Sequence, residues 1–363
     1  MLYSAPITPG SMRANNLPSS LSAMNRIAAL LAALALLASC AGGAMADPIA
    51  DFYRGKTIRM LIGYGPGGGY DLYARLVAEF LPRHFPGNPT ILPENMPGAG
   101  SFVAAKYMAE VAPKDGTVLG SLAQTLALDS AVGGPAKVNA ANFHYIGRVT
   151  TNIDTGVALP ASGIKSFEDV RKKEYSVGAS GGGSTTVLYP VALNAYAGAR
   201  FKIVRGYKGT TDILLAMERG EVDITGAYGL PGMLVSHPGW IDQGEATIIY
   251  QAALKRHRLL PNVPALPELA ASDEGRVVLR AIAGTAEIGR SIIAGPDEPA
   301  DRLAALRAAF ADMLKDAEFL AACDQRHFMV DAGSGEGMDA ITRETLALSP
   351  EIRAKIGAML NAM

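Results

Sequence analysis

The sequence predicts an α/β protein made of two similar lobes, and three observations lead to this prediction. Apolar stretches of strand length alternate with amphipathic stretches of helix length, which is typical of sheets whose strands are connected by helices. A glycine-rich loop between a strand and a helix occurs at residues 63–69, and a second one occurs at residues 179–185. The two loops lie about one domain length apart, so the alternation restarts where a second lobe would begin.

The composition fits this prediction and argues against nucleic-acid binding. The chain of 363 residues is long enough for two domains with a substantial core. Its hydrophobic content is 49%, of which aromatic residues supply only 7%, so small aliphatic side chains must fill much of the core. The 33 basic and 34 acidic residues nearly balance, which gives no support to a nucleic-acid partner.

The N-terminal segment predicts export to the periplasm. Residues 27–38 are apolar, too short to span a bilayer comfortably, and follow Arg26 as the hydrophobic region of a signal peptide does. Residues 44–46 (AMA) offer a cleavage site, so we assign residues 1–46 to a signal peptide region. Residues 37–40 (LASC) carry a competing signal that resembles a lipobox, in which Cys40 would be lipidated, and Met24 is an alternative start.

In the first half, each element follows from a local pattern. The run of Ile, Leu and Met at residues 58–62 predicts a strand, and the apolar residues that recur on one face of residues 71–81 predict a helix. Asp71 is expected to cap this helix and to hold the glycine loop, and Ser101 to cap the next helix. Further strands are predicted at residues 90–95 and 117–122, with an extended region at residues 143–159.

In the second half the same order recurs, so we expect both sheets to be mainly parallel. Ser166 and Asp169 have the spacing of a capping box, which predicts a short helix. The predicted strands lie at residues 175–178, 201–207, 222–225, 247–250 and 288–294. The predicted helices lie at residues 186–197, 211–219, 299–315, 318–323, 338–348 and 350–360.

The first glycine loop matches a dinucleotide-binding fingerprint only by letter. The spacing Gly63-x-Gly65-x-x-Gly68 fits that fingerprint. Pro66 interrupts it, however, and Glu94 lies beyond the usual position of the ribose partner. An exported protein also meets little free nicotinamide nucleotide. Neither loop ends in the Gly-Lys-Ser/Thr of a phosphate-binding loop, so we predict no cofactor.

A hydrolase remains an alternative, because Gly178-x-Ser180-x-Gly182 has the spacing of a nucleophile elbow. The histidines that could serve this serine each lie in a segment with a simpler explanation: His237, His257 and His327. Cys323 fits a core position, and no cluster has metal-ligand spacing. We therefore predict no catalytic residues and no metal site, and expect the two helix N-termini to clamp a small anion instead.

Five segments resemble the solute receptors of tripartite tricarboxylate transporters, also called Bug receptors. In order they are residues 65–71 (GPGGGYD), 94–100 (ENMPGAG), 112–117 (APKDGT), 206–209 (GYKG) and 220–223 (GEVD). The first two are similar to the family's Pro-Gly-Gly-x-x-Asp and Glu-Asn-x-Pro-Gly-Ala-Gly signatures. Their order and spacing fit the family from residue 51 to the end of the chain.

This resemblance implies the type II periplasmic-binding-protein fold, in which two lobes joined by two crossing strands close on a small carboxylate. It implies a monomeric receptor that catalyses no reaction and passes its ligand to two membrane permease subunits. Lobe one would comprise residues 51–155 with 287–363, and lobe two residues 156–286. The predicted ligand-binding residues are Tyr64, Gly67, Gly68, Gly69, Tyr70, Gly98, Ala99, Ser101, Gln124, Ser180, Gly182, Gly183, Ser184, Thr185 and Tyr207.

The chain departs from the family in the loops that would contact the ligand. Tyr70 stands where many members have a small polar residue, and Gly206 replaces a common proline. Residues 185–187 stand where many members carry a histidine. The identity of the ligand therefore does not follow from the resemblance, and a ligand-sensing input to a membrane signalling protein is a second alternative function.

Overall fold

The computed structural model describes residues 47–134 and 137–361. From Pro48 onward the chain forms one compact unit. The predicted signal peptide region, with Cys40 and Met24, lies outside the described residues. In the part that is described, no helix is long and apolar enough to cross a membrane.

Helices and strands alternate through most of the chain, as predicted. The strands are β1 Thr57–Ile62, β2 Thr90–Asn95, β3 Val118–Ser121, β4 His144–Arg148, β5 Asp154–Ala158, β6 Tyr175–Ala179, β7 Phe201–Arg205, β8 Ile224–Gly229, β9 Thr247–Ala252, β10 Ser291–Ala294 and β11 Gly333–Ser334. The helices of the first half are α1 Pro48–Tyr53, α2 Gly69–Phe80, α3 Phe102–Glu110, α4 Leu126–Ala131, α5 Phe167–Lys172 and α6 Thr185–Ala197. Those of the second half are α7 Thr210–Glu218, α8 Leu230–Ser236, α9 Gly239–Asp242, α10 Asp273–Ala283, α11 Ala300–Met313, α12 Ala317–Gln325, α13 Gly335–Leu346 and α14 Pro350–Asn361.

The strands form two sheets, one of six strands in the order β11-β4-β10-β3-β1-β2 and one of five in the order β7-β6-β8-β5-β9. In each sheet three strands are parallel: β1 lies between β2 and β3, and β6 lies between β7 and β8. The strands β4, β5, β9, β10 and β11 pair antiparallel.

The prediction of mainly parallel sheets is therefore wrong, and both sheets are mixed. A parallel pair needs a crossover connection, which is usually a helix packed on the same sheet. Connections of this kind join the three parallel strands of each sheet. By contrast, β5 and β10 each follow a segment that crosses from the side of the other sheet, and they pair antiparallel with β8 and β3.

Two crossing segments, residues 149–153 and 284–290, carry the chain between the sheets, and they pair with each other. The backbone N–H of Val149 donates to the carbonyl of Arg290 at 3.0 Å, and the N–H of Arg290 donates to Thr150 at 2.8 Å. The N–H of Asn152 donates to Ala286 at 3.0 Å. This pairing fixes side chains of both segments at the junction between the sheets.

Each sheet has its own apolar core, built mainly from aliphatic side chains as the composition predicts. Cys323 belongs to the first of these cores, where it is 2% exposed, and burial raises the pKa of its thiol to about 11. Ile356 and Met359 of α14 pack into the core of the second sheet. The predicted lobe boundaries, which place residues 287–363 in lobe one, remain a prediction.

Candidate functional site

A narrow cavity, here called the central cavity, lies between the two sheets and is lined by residues from both. Three helices of eight residues or more begin at its wall: α2 at Gly69, α6 at Thr185 and α7 at Thr210. The first N–H groups of a helix have no partner within the helix, and the helix dipole places partial positive charge there. The wall therefore suits an anion.

Asp71 fixes the shape of the first glycine loop. Gly68 is the N-cap of α2, so Asp71 lies in the first turn and is not the N-cap that was predicted. Its Oδ2 accepts a hydrogen bond from Gly67 N–H at 2.9 Å, and its Oδ1 accepts from Asn95 Nδ2 at 2.8 Å and from Arg75 Nε at 2.9 Å. Burial raises the pKa of Asp71, but these bonds more than offset it and lower the pKa overall. Asp71 thus holds the loop.

An arginine and two tyrosines are stacked on the side of the first sheet. The rings of Tyr64 and Tyr70 lie 4.6 Å apart at an interplanar angle of 18°. The guanidinium carbon of Arg290 lies 3.9 Å from the centroid of the Tyr70 ring, which is cation–π geometry. Burial raises the pKa of both phenols, so they stay neutral at physiological pH.

Arg290 lines the central cavity and is only 4% exposed. Among the described residues, its Nε and Nη1 have no hydrogen-bond partner. A Cβ atom at Gly69 would lie 2.9 Å from its Nη2, and one at Gly229 would lie 2.4 Å away, so these glycines leave room for the guanidinium. Buried N–H donors without acceptors are costly, so Nε and Nη1 make Arg290 a ready partner for an anion in the cavity.

Asp154, the first residue of β5, lines the same cavity and is 3% exposed. Its carboxylate accepts hydrogen bonds from neutral groups, Asn152 Nδ2 at 3.0 Å and Gln124 Nε2 at 3.4 Å. Burial raises its pKa, while the positive charge of Arg290 acts to lower it. The cavity therefore presents one buried cation and one buried acid.

The second glycine loop is held by hydroxyl groups. Thr186 Oγ1 accepts a hydrogen bond from Ser180 N–H at 3.0 Å and also contacts the hydroxyls of Ser180 and Ser184. Ser184 occupies the N-cap position of α6. This loop therefore contains no carboxylate comparable to Asp71, and its polar surface is made of hydroxyl and backbone N–H groups.

The two sides of the cavity touch through their loops. Gly183 N–H donates to Ala99 carbonyl at 3.2 Å, and Gly65 N–H donates to Lys208 carbonyl at 3.1 Å. The hydroxyl of Thr211 donates to the carbonyl of Pro66 at 3.2 Å. These bonds close the cavity on the side of the glycine loops.

The structure brings several of the predicted binding residues together. Seven line the central cavity: Tyr64, Gly68, Gly69, Tyr70, Ser180, Ser184 and Thr185. A neighbouring cavity, which shares Tyr64 and Ser180 with the central one, is lined by three more: Gly98, Ala99 and Tyr207. Five line neither cavity: Gly67, Ser101, Gln124, Gly182 and Gly183. The role of all these residues in ligand binding remains a prediction.

Ser101 does not cap its helix, in contrast to the prediction. It occupies the N-cap position of α3 with a φ of +83°, and its side chain makes no capping hydrogen bond. Its hydroxyl instead accepts from Ala123 N–H at 3.0 Å, which ties this turn to the segment after β3. A Cβ atom at Gly63 would lie 2.1 Å from the Ser101 hydroxyl oxygen, so the first glycine loop needs Gly63 for this close approach.

Arg290, Asp154 and Asn152 were not among the predicted site residues. All three lie in or beside the crossing segments, and pairing between residues more than a hundred positions apart brings them together. One local signal was available: Arg290 is a lone charge among the apolar residues of a predicted strand, and a charge that is buried there needs a partner.

The structure gives the hydrolase alternative no histidine at Ser180. In the described part of the chain, the hydrogen-bond partners of Ser180 are Thr186 and backbone groups. His237 Nδ1 bonds instead to the hydroxyl of Tyr228 at 2.9 Å. Residues 47–134 and 137–361 contain no group of three or more His, Cys, Asp or Glu side chains that could hold a metal ion.

Comparisons with known proteins identify similar chains. A family model described as tripartite tricarboxylate transporter family receptor matches residues 74–331. The UPF0065 protein in the gbd 5′ region of Cupriavidus necator is 28% identical over 256 residues, which cover 67% of this chain and 72% of that protein.

Two solved structures show the same fold. The periplasmic binding protein BugD is 19% identical with a TM-score of 0.64, over 85% of this chain and 98% of that one. MatC from Rhodopseudomonas palustris, solved with malate bound, is 19% identical with a TM-score of 0.66, over 84% of this chain and 99% of that one. At these identities the likeness shows the fold alone, and it confirms the prediction of a bilobal periplasmic-binding-protein architecture.

Proposed function

The chain belongs to the tripartite tricarboxylate transporter receptor family, and on this premise we propose that it binds a small organic carboxylate outside the cytoplasm. In this proposal it delivers the unchanged ligand to the permease subunits of a tripartite transporter. Residues 1–46 direct export to the periplasm, with Cys40 as the anchor if the lipobox is used. The mature receptor acts as a monomer.

The observation that carries the carboxylate assignment is the buried guanidinium of Arg290, which lines the central cavity and whose Nε and Nη1 have no hydrogen-bond partner among the described residues. A carboxylate matches the fork of N–H donors on an arginine, and a charge-assisted pair of this kind is about twice as strong as a neutral hydrogen bond. The N-termini of α2, α6 and α7 at the same wall add N–H donors and positive potential. That the related MatC was solved with malate makes malate a sensible first probe.

The first experiment measures thermal stabilisation by malate, succinate, adipate and citrate, and recovers each compound afterwards. We expect at least one to raise the unfolding free energy, by about 2.7 kcal/mol at a hundredfold excess over its dissociation constant. We expect it to be recovered unchanged. Turnover would favour the hydrolase alternative, and no stabilisation by any carboxylate would contradict the proposal.

Arg290→Gln sharpens this experiment. We expect the variant to lose affinity for the bound carboxylate by about 100-fold, since a buried charge-assisted pair is removed. Without ligand it should be less stable than the wild type, because the substitution removes the cation–π contact with Tyr70 and leaves the buried Asp154 without a positive charge nearby. Arg276→Gln removes a solvent-exposed arginine of α10 and is the matched control, which should leave affinity unchanged. Equal affinity in both variants would place the carboxylate elsewhere.

A further inference from the structure

The side chain of Tyr64 lies between the central cavity and the neighbouring cavity, since it lines both. The central cavity has a volume of about 30 Å³, which is room for about two water molecules. The neighbouring cavity has a volume of about 250 Å³ and is lined mainly by small residues, with Tyr207 and Lys208. Tyr64 therefore separates a small space beside Arg290 from a larger space that contains a lysine.

Tyr70 holds the ring of Tyr64 in this position. Tyr70 is the middle member of the stack, because its ring contacts both the Tyr64 ring, at 4.6 Å, and the Arg290 guanidinium, at 3.9 Å. The hydroxyl of Tyr64 also donates to the carbonyl of Gly100, but at 3.4 Å this bond is long and weak. The orientation of the Tyr64 ring therefore depends mainly on the stack with Tyr70.

Tyr70 is itself held at both ends. Its backbone belongs to the first turn of α2, and its hydroxyl accepts a hydrogen bond from the backbone N–H of Gln124 at 3.0 Å. The helix α2 follows β1 and Gln124 follows β3, so this bridge joins two segments of the first sheet. The bridge stays intact if the two sheets move apart, and a ligand must fit against the Tyr70 ring.

We propose that the stacked rings of Tyr64 and Tyr70 limit the length of the ligand, so that the receptor binds short carboxylates and excludes longer ones. This inference rests on the proposed function and deepens it. A carboxylate that pairs with Arg290 and carries a long chain would have to pass the Tyr64 ring to extend into the neighbouring cavity. Tyr70 is thus a specificity-determining residue, because it keeps that ring in place.

The test measures the affinities of malonate, succinate, glutarate and adipate by calorimetry at pH 7. These dicarboxylates carry the same two charges and differ only in the number of methylene groups. We expect the wild type to bind malonate or succinate best and adipate at least about tenfold more weakly, because the excluded chain cannot place both carboxylates.

Tyr70→Ser should change this preference. We expect the ratio of the adipate affinity to the succinate affinity to rise at least about tenfold, because the Tyr64 ring is released and the second carboxylate can reach Lys208. Tyr70→Phe is the matched control, since it keeps the ring and loses only the bond to Gln124, and it should keep the wild-type ratio. A general loss of structure weakens all four ligands alike and leaves the ratio unchanged.

The outcomes separate this inference from the proposed function. If the wild type binds adipate as tightly as succinate, or if Tyr70→Ser has the wild-type ratio, the length limit is overturned and the receptor function stands. If Tyr70→Ser does not fold, Tyr64→Ala removes the separating ring itself and must show the same rise in the ratio. If no carboxylate binds the wild type, the proposed function fails, and the inference fails with it.

Discussion

The two glycine loops look alike in the sequence but use their glycines differently. In the first loop, only Gly67 has a positive φ, of +82°, and the glycines at 63 and 69 make room for Ser101 and Arg290. In the second loop, none of the glycines at residues 181–183 has a positive φ. A Cβ atom at Gly181 would lie 2.4 Å from Gly100 N, and one at Gly183 would lie 2.2 Å from the ring of Phe102.

The second loop therefore needs glycine because its backbone approaches other residues closely, and not because its backbone adopts a positive φ. Its backbone packs directly against the backbone of residues 99–100, from the opposite side of the cavity. The first loop is a shaped wall, anchored by the Asp71 carboxylate, that leaves space for a charged side chain. Similar composition at two strand–helix junctions thus corresponds to one loop that leaves room for the side chains of Ser101 and Arg290 and one loop that packs against the opposite side of the cavity.

The largest expected effect comes from a side chain at Gly183. The sequence alone suggests that Gly68→Val and Gly183→Val should both abolish binding. The structure separates them, because a Cβ at Gly68 meets nothing within 4 Å and its φ of −81° suits any residue. We expect Gly183→Ala to lower affinity for the bound carboxylate about 100-fold, or by about 2.7 kcal/mol, and Gly68→Ala to lower it far less.

Two measurements check this comparison. Calorimetry gives the affinities, and small-angle scattering should show a larger radius of gyration for Gly183→Ala than for Gly68→Ala, since the clash with Phe102 keeps the loops apart. Equal losses in the two alanine variants would mean that both loops use their glycines in the same way.

The next effect concerns the anchor of the first loop. Asp71→Ala removes the acceptor of Gly67 N–H and the partner of Arg75, and we expect it to cost about 2 kcal/mol of unfolding free energy in urea titrations at pH 7. The pKa of Asp71 is lower in the folded protein than in the unfolded chain. Its contribution is therefore complete above the unfolded pKa and is lost as pH falls through the folded value.

The stability difference between the wild type and Asp71→Ala should consequently shrink below about pH 4, near the ordinary pKa of an aspartate. A difference that stayed constant from pH 7 to pH 3 would show that the Asp71 charge does not hold the loop. Arg75 is nearly half exposed, so its share of the effect should also fall in high salt.

The smallest effect concerns the anchor of the second loop. Thr186→Val keeps the shape of the side chain but removes the acceptor of Ser180 N–H, and we expect a loss of about 1 kcal/mol in the same titrations. Because the bond joins a hydroxyl and an amide, this loss should not change between pH 7 and pH 3. A loss that varied with pH as that of Asp71→Ala does would contradict the distinction between a charged and a neutral anchor.

The local features of the fold could be predicted well from the sequence, and the non-local features poorly. The strands β1 and β6, the glycine loops after them and the helices α2 and α6 follow from patterns within a few residues, and they were predicted close to their observed bounds. The sequence also placed β10 within residues 288–294 and β5 within residues 143–159, but it did not predict their antiparallel direction, because that direction depends on where the chain enters the sheet.

The same limit applies to the site. Tyr64 and Tyr70 belong to a local motif and were identified, whereas Arg290 and Asp154 meet only through the pairing of the crossing segments. Ser101 was assigned a capping role from its position. Its φ of +83° and its bond to Ala123 depend on a turn in the following segment that no local pattern predicts.

The place of Arg290 in a crossing segment has a consequence for the kinetics of capture. Four of the six unpartnered buried side-chain atoms among the described residues belong to Thr150, Asn152 and Arg290, on the paired segments between the sheets. If the sheets open by rotation about these segments, side chains on the rotation axis are displaced least. The cation would then face incoming solute at nearly the same point throughout the motion, so electrostatic attraction would set the association rate, and loop contacts the residence time.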